Sequence, residues 1–181
     1  MFRKVFRFVF LVGILFSAAF IFLNSHQDAE RSSGRSQGVS LLVAQTFVAG
    51  FESLSPEEQL EEVKKIEGPL REIAHGCEFA MLAFFVYGFS ATFCRSGKGA
   101  LISGAGSVAF CFLYALSDEW HQTFVGGRAA EWSDVGADSA RALVGVLFAF
   151  AFCLILSKIR RSRLRRKGEK EKVCFGKGFF F

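Results

Sequence analysis

Four long apolar runs without a single charged residue constrain this chain of 181 residues more than any other feature of its sequence. The runs cover residues 8–23, 79–94, 99–117 and 142–157. With interfacial residues added, each reaches about 20 residues, the length of a helix that crosses the hydrocarbon core of a bilayer. Buried helices of a soluble protein are the alternative, but too few other residues remain to cover four of them. We therefore predict an all-α, polytopic membrane bundle with four transmembrane helices, at about residues 5–23, 73–94, 99–117 and 139–157.

The charged residues outside these runs alternate in sign along the chain. Basic residues precede the first run, occupy the short turn at 95–99 and dominate the tail 158–181, which holds ten Lys or Arg against two acids. Acidic residues dominate the other two connections, with nine acids against five bases in 24–74 and five against one in 118–138. Because cytoplasmic segments carry an excess of Lys and Arg, both termini are predicted to be cytoplasmic and the acidic connections to lie outside. The membrane topology then explains the net charge of +5. We therefore expect no nucleic-acid partner.

The chain is predicted to divide into a membrane domain over 1–157, with the first run retained as a helix, and a basic cytoplasmic tail over 158–181. Within the outer connection 24–72, the Ser-rich stretch 24–38 is typical of a loop. The apolar stretch 39–51 is too short to span and favours a helix at the membrane interface.

A helix start follows at Ser55-Pro56-Glu57-Glu58. It combines an N-cap serine, a proline at the first helical position and the glutamate of a capping box. Gly68-Pro69 predicts the end of this helix, before a new helix that becomes the second span.

Two groups of ionisable side chains fall at the outer ends of the predicted spans. Arg71, His75 and Glu78 are spaced i, i+4 and i+7, so they share one helix face. Glu78 lies about one turn inside the second span, where an ionisable group is costly unless it has a partner. The second group begins where the third span exits and continues to the start of the fourth: Asp118, Glu119, His121, Gln122, Arg128, Asp134, Asp138 and Arg141.

These groups lie at one depth, and three interpretations of them stay open. In the first, the charges only neutralise one another and tie the helix ends together. In the second, Arg and His side chains hold an anionic head group. In the third, His75 or His121 performs acid–base catalysis with a carboxylate such as Glu78 or Glu119. The candidate ligand-binding residues are Arg71, His75, Glu78, Asp118, Glu119, His121, Gln122, Arg128, Asp134 and Asp138.

The histidine and carboxylate spacings do not match a zinc signature, so no metal and no cofactor are expected. The cysteines fall mainly within the spans, and their distribution implies no structural disulfide.

The block Asp118-Glu119-Trp120-His121-Gln122-Thr123-Phe124-Val125-Gly126-Gly127-Arg128, followed by Asp134 and Asp138, resembles the signature of the VanZ-like membrane protein family. The family's earlier motif, Arg-x-x-x-His-x-x-Glu at the start of a span, is matched by Arg71, His75 and Glu78. Ser25-His26-Gln27 resembles the family's polar exit from the first span. The resemblance covers roughly residues 11–152.

Three departures mark a divergent member. Gly126 replaces a usual Pro, Glu72 replaces a usual basic residue, and Arg141 stands where a Gly is common. A bulky cation at Arg141 puts the tight packing of the fourth helix in doubt, or implies a different partner for Asp138.

The resemblance implies a multi-pass protein of the bacterial inner membrane, from a family whose founding member is associated with low-level resistance to the glycopeptide teicoplanin. Our leading expectation is a ligand-binding factor of the cell envelope at the outer leaflet. Its expected partners are membrane lipids and a lipid-linked envelope precursor or other anionic head group, with a homo-oligomer left open. A membrane-embedded enzyme and a small proton-coupled transporter are the alternatives.

Overall fold

The computed structural model describes residues 2–26, 29–94, 97–125 and 131–166. Within these residues the structure is entirely helical, with a short 3₁₀ helix at Phe51–Ser53 between the second and third of five long helices. The helices are α1 (Phe2–Ser25), α2 (Ala29–Phe47), α3 (Pro56–Ala91), α4 (Gly97–Gln122) and α5 (Trp132–Arg166). Four of them, all except α2, are long and apolar enough to cross a membrane. The prediction of an all-α bundle with four spans is confirmed, while the side on which each end lies stays a prediction.

Helix α3 forms the centre of the bundle because α1, α4 and α5 all pack against it. Its side chains Phe79, Leu82, Ala83 and Tyr87 are fully buried in the main apolar core. The outer faces of the spanning helices carry exposed large apolar side chains, such as Phe8 at 68% exposure. Exposed apolar surface of this extent marks contact with a membrane.

Helix α2 differs from the sequence prediction. The stretch 24–38, interpreted as a loop, instead ends α1 at Ser25 and forms the first half of α2, which begins at Ala29. The helix is stabilised by packing on α3, through a small second core of Ala44, Phe51 and Val63. Serine-rich sequence disfavours a helix only weakly, and tertiary packing overrides that preference.

Helix α3 begins where the sequence predicts, but it does not end at the predicted position. The Ser55 backbone N–H donates to Glu58 Oε2 at 2.8 Å, and the Glu58 N–H donates to Ser55 Oγ at 3.4 Å, which completes the capping box. Gly68-Pro69 does not end the helix, because α3 continues through Pro69 to Ala91. An internal proline removes one hydrogen bond, and the packing of α2 on the preceding turns keeps the helix continuous.

Helices α3 and α5 approach most closely at Gly145. A Cβ atom placed there would collide with the backbone of Ala80, 2.7 Å from its carbonyl carbon. Small residues at helix interfaces in membranes allow such backbone contact. This approach sets the spacing of the two helices about one turn below the polar residues described next.

Candidate functional site

One end of the bundle gathers ionisable side chains from three helices around His75. Its Nε2 atom lies 3.3 Å from Asp138 Oδ2 and 3.8 Å from Asp118 Oδ2. Its Nδ1 atom lies 3.5 Å from Glu78 Oε2. The side chains of Asp118 and Asp138 are almost fully buried, whereas that of His75 is 26% exposed. We call these four residues the His75 cluster.

A layer of uncharged donors supports the carboxylates. Asn24 Nδ2 donates to Glu78 Oε1 at 2.8 Å, and Ser25 Oγ donates to Asp118 Oδ2 at 2.9 Å. Gln122 Nε2 donates to the same Asp118 oxygen at 3.0 Å. Hydrogen bonds of this kind offset part of the cost of burying a carboxylate. Side chains of α1 therefore take part in the site together with those of α3, α4 and α5.

Asn24 and Ser25 were missed as site residues by the sequence analysis. The signal that could have found them is their position as polar residues directly after the first apolar run. That position places them at the same depth as Glu78, where a buried carboxylate needs donors.

Arg141 is held between two acids and crosses the face of α3. Its Nη1 donates to Asp138 Oδ1 at 2.9 Å, and its Nη2 lies 3.8 Å from the exposed Glu72. The side chain passes over Gly76, where an added Cβ would lie 2.6 Å from Arg141 Cδ. Arg141 therefore does not prevent tight packing of α5 on α3. Gly76 makes room for its side chain, and Gly145 allows the close approach of the two helices. Asp138 is paired with Arg141 itself.

His121 lies apart from the His75 cluster and pairs with a histidine that was not predicted as a site residue. Its Nε2 is 3.2 Å from Nδ1 of His26, the residue after the end of α1. Phe22 packs against both rings, with centroid distances of 4.6 Å to His121 and 6.1 Å to His26. The two imidazoles join the C-terminal ends of α1 and α4.

The other predicted site residues are dispersed. Glu119 is buried, and its Oε2 accepts a hydrogen bond at 3.0 Å from the backbone N–H of Glu131, which ties α4 to the residue before α5. Arg71 and Asp134 have exposed side chains. Arg128 lies outside the described residues, so its predicted place near the cluster stays a prediction.

The cluster carries more carboxylates than cations, which determines what it can bind. Three carboxylates face one imidazole, and the Arg141 guanidinium is already paired. Carboxylate oxygens accept hydrogen bonds, so the cluster suits donors such as hydroxyl or amino groups. No group of three or more His, Cys, Asp or Glu side chains within the described ranges could hold a metal ion.

A groove between α2 and the start of α3 lies away from this cluster. Its volume is about 250 Å³, and it is lined by Gln37, Leu41, Pro56, Gln59, Leu60 and Val63. None of the His75 cluster residues borders it.

A family model described as VanZ/LLP1 matches residues 8–156, which is most of the chain and runs from α1 into α5. Neither the curated proteins nor the solved structures contain a match to this chain.

Proposed function

The chain belongs to the VanZ/LLP1 family, and we propose that it binds the polar head group of a lipid-linked ligand of the bacterial cell envelope. The observation that supports this proposal is the His75 cluster. In it, the partly exposed His75 lies within 3.8 Å of three carboxylates at one end of a bundle with four membrane-type helices. A ligand anchored in the bilayer by an apolar chain would present its head group at this depth. The apolar outer faces of the spans would contact the surrounding lipids.

The hydrogen-bond donors and the anionic group of the ligand bind at different parts of the proposed site. Hydroxyl or amino groups donate to Glu78, which is the least buried carboxylate of the His75 cluster. A phosphate or carboxylate of the ligand is received by Arg128, because Arg141 is already held by Asp138 and Glu72. Arg128 stands in the chain between the end of α4 and the start of α5, the two helices that supply Asp118 and Asp138. The ligand class is thus a lipid-linked phosphosugar or a similar envelope precursor.

Binding to purified protein in lipid nanodiscs tests this proposal. The probes are a polyprenyl-diphosphate-linked sugar precursor and, separately, phosphatidylglycerol. We expect the wild type to prefer the precursor and Arg128→Ala to weaken its binding by about tenfold or more, since a charge-assisted hydrogen bond contributes about 1.5–3 kcal/mol. Lys64→Ala removes an exposed cation on α3 and serves as the matched control. Equal binding of the precursor by the wild type and Arg128→Ala contradicts the proposal.

The orientation of the protein is part of the same proposal. Reporter fusions after Lys98 and Lys167 should report the cytoplasm, and fusions after Ser53 and Gly127 should report the outside, because basic connections stay inside. The opposite pattern would place the His75 cluster at the cytoplasmic face and remove an outer-leaflet ligand from consideration.

An acid–base enzyme is a second candidate, favoured by the 3.3 Å approach of His75 Nε2 to Asp138 Oδ2. A carboxylate beside an imidazole can orient it for proton transfer. Teicoplanin susceptibility of a host strain that expresses the protein provides a cellular readout that separates the two functions. A His75→Gln protein that binds the precursor normally but no longer changes susceptibility favours the enzyme. Parallel loss of binding and susceptibility change favours the ligand-binding factor.

A further inference from the structure

The pair of histidines at the C-terminal ends of α1 and α4 has the spacing of two ligands on one metal ion. Nδ1 of His26 and Nε2 of His121 are 3.2 Å apart, within hydrogen-bond distance when one ring carries the proton, although the residues are separated by 95 positions in the chain. Two nitrogens bound to one zinc ion at about 2.0–2.1 Å lie about 3.3 Å apart at the tetrahedral angle. We propose that His26 and His121 together bind one divalent ion of the zinc class.

The two rings are held in place by contacts outside the pair. Phe22 stacks nearly parallel to His26, with an angle of 9° between the ring planes, and packs against His121 from one side. Below the rings, Ser25 Oγ donates to Asp118 Oδ2 at 2.9 Å, which fixes the residues next to the pair. A site assembled before the ligand arrives loses less conformational entropy on binding.

A further bond fixes the two helices deeper in the bundle. The Tyr114 hydroxyl donates to the backbone carbonyl of Ala18 at 2.6 Å, so α1 and α4 are joined at two levels below the histidines. The ends of these helices cannot separate easily. The separation of the two imidazoles is therefore a property of the fold.

Access and charge both suit a cation at this place. His26 is exposed and His121 is partly exposed, so an ion can reach them from solution. Two protein ligands would leave the remaining coordination positions of a tetrahedral ion to water. The carboxylates of the neighbouring His75 cluster create a negative field that attracts cations. Imidazole nitrogen is a preferred ligand of zinc.

Zinc titration of the full chain in nanodiscs, purified without a polyhistidine tag, tests the proposal. We expect one zinc ion per chain and a zinc-dependent rise in Tm for the wild type, because an ion that binds only the folded state stabilises it. His26→Ala and His121→Ala should each weaken zinc affinity by about tenfold or more and abolish the rise in Tm. His75→Gln removes the third histidine of the chain and should retain both properties.

The outcomes separate this site from the proposed precursor site. No saturable zinc binding by the wild type, or unchanged zinc affinity in both His26→Ala and His121→Ala, overturns the proposal. Loss of zinc binding in His75→Gln alone also overturns it, because it would assign the metal to the His75 cluster. The side chain of His26 is exposed, so His26→Ala should retain the fold, and its Tm without zinc verifies this. Arg128→Ala, which tests precursor binding, leaves both His26 and His121 in place, so the two proposals can fail separately.

Discussion

Replacement of Gly145 by alanine should separate the two most closely packed helices of the bundle. A Cβ atom at this position would lie 2.7 and 2.8 Å from the carbonyl carbon and Cα of Ala80. Carbon atoms in ordinary contact are about 3.5 Å or more apart. The backbones of α3 and α5 would therefore have to move apart by about 1 Å, because no side-chain rotation can relieve a backbone contact.

The size of the effect follows from two opposing contributions. Overpacking of a tight interface costs about 1–3 kcal/mol, and a contact with backbone belongs at the upper end of that range. Alanine has a higher helix propensity than glycine by about 1 kcal/mol, which offsets part of the cost. We expect a net loss of about 2 kcal/mol, which corresponds to a fall in Tm of about 4–8 °C for a chain of this size.

Gly136 on the same helix is the matched control, since no atom lies within 4 Å of an added Cβ there. Gly136→Ala should keep or raise the Tm by a few degrees, from helix propensity alone. The measurement is the thermal unfolding of both variants and the wild type in the same detergent. A Tm of Gly145→Ala equal to or above that of Gly136→Ala would refute the close contact of α3 and α5.

Three further predictions concern hydrogen bonds and charges. Ser55→Ala should cost about 1 kcal/mol and speed amide exchange in the first turn of α3, because the capping box is lost. Asp138→Asn should lower the free energy of unfolding by about 2–3 kcal/mol, since it removes the buried carboxylate that pairs with Arg141 and His75. Asp134→Asn, at an exposed position one turn earlier, should change it by less than about 0.5 kcal/mol in the same denaturation assay. Tyr114→Phe should cost about 1 kcal/mol in thermal unfolding through loss of the bond to Ala18, and an unchanged Tm would contradict that bond.

The spans could be predicted from the sequence because their signal is local. Each apolar run is long enough to specify a spanning helix without knowledge of its neighbours, and Ser55, Pro56 and Glu58 specify a helix start within four residues. The first half of α2 could not be predicted in this way. Its polar sequence is typical of a loop, and the helix depends on the packing of its second half, where Ala44 shares a core with Val63 of α3.

The candidate site shows the same division. Costly charges at the ends of spans identified His75, Glu78, Asp118 and Asp138 as residues that need partners, and the structure brings these four together. Local spacing could not show that His121 faces His26, because that contact depends on how α1 packs beside α4. Uncharged partners such as Ser25 are equally hard to find, since a serine near a membrane boundary is unremarkable until its acceptor is known.

The continuity of α3 has a mechanical consequence. The helix has 36 residues and a length of about 54 Å, whereas the hydrocarbon core is about 30 Å thick, so its first turns project beyond the bilayer. His75 belongs to the same rod as the projecting part, while Asp118 and Asp138 belong to other helices. Movement of the projecting turns would be transmitted along α3 to the imidazole and would change its distances from the two aspartates.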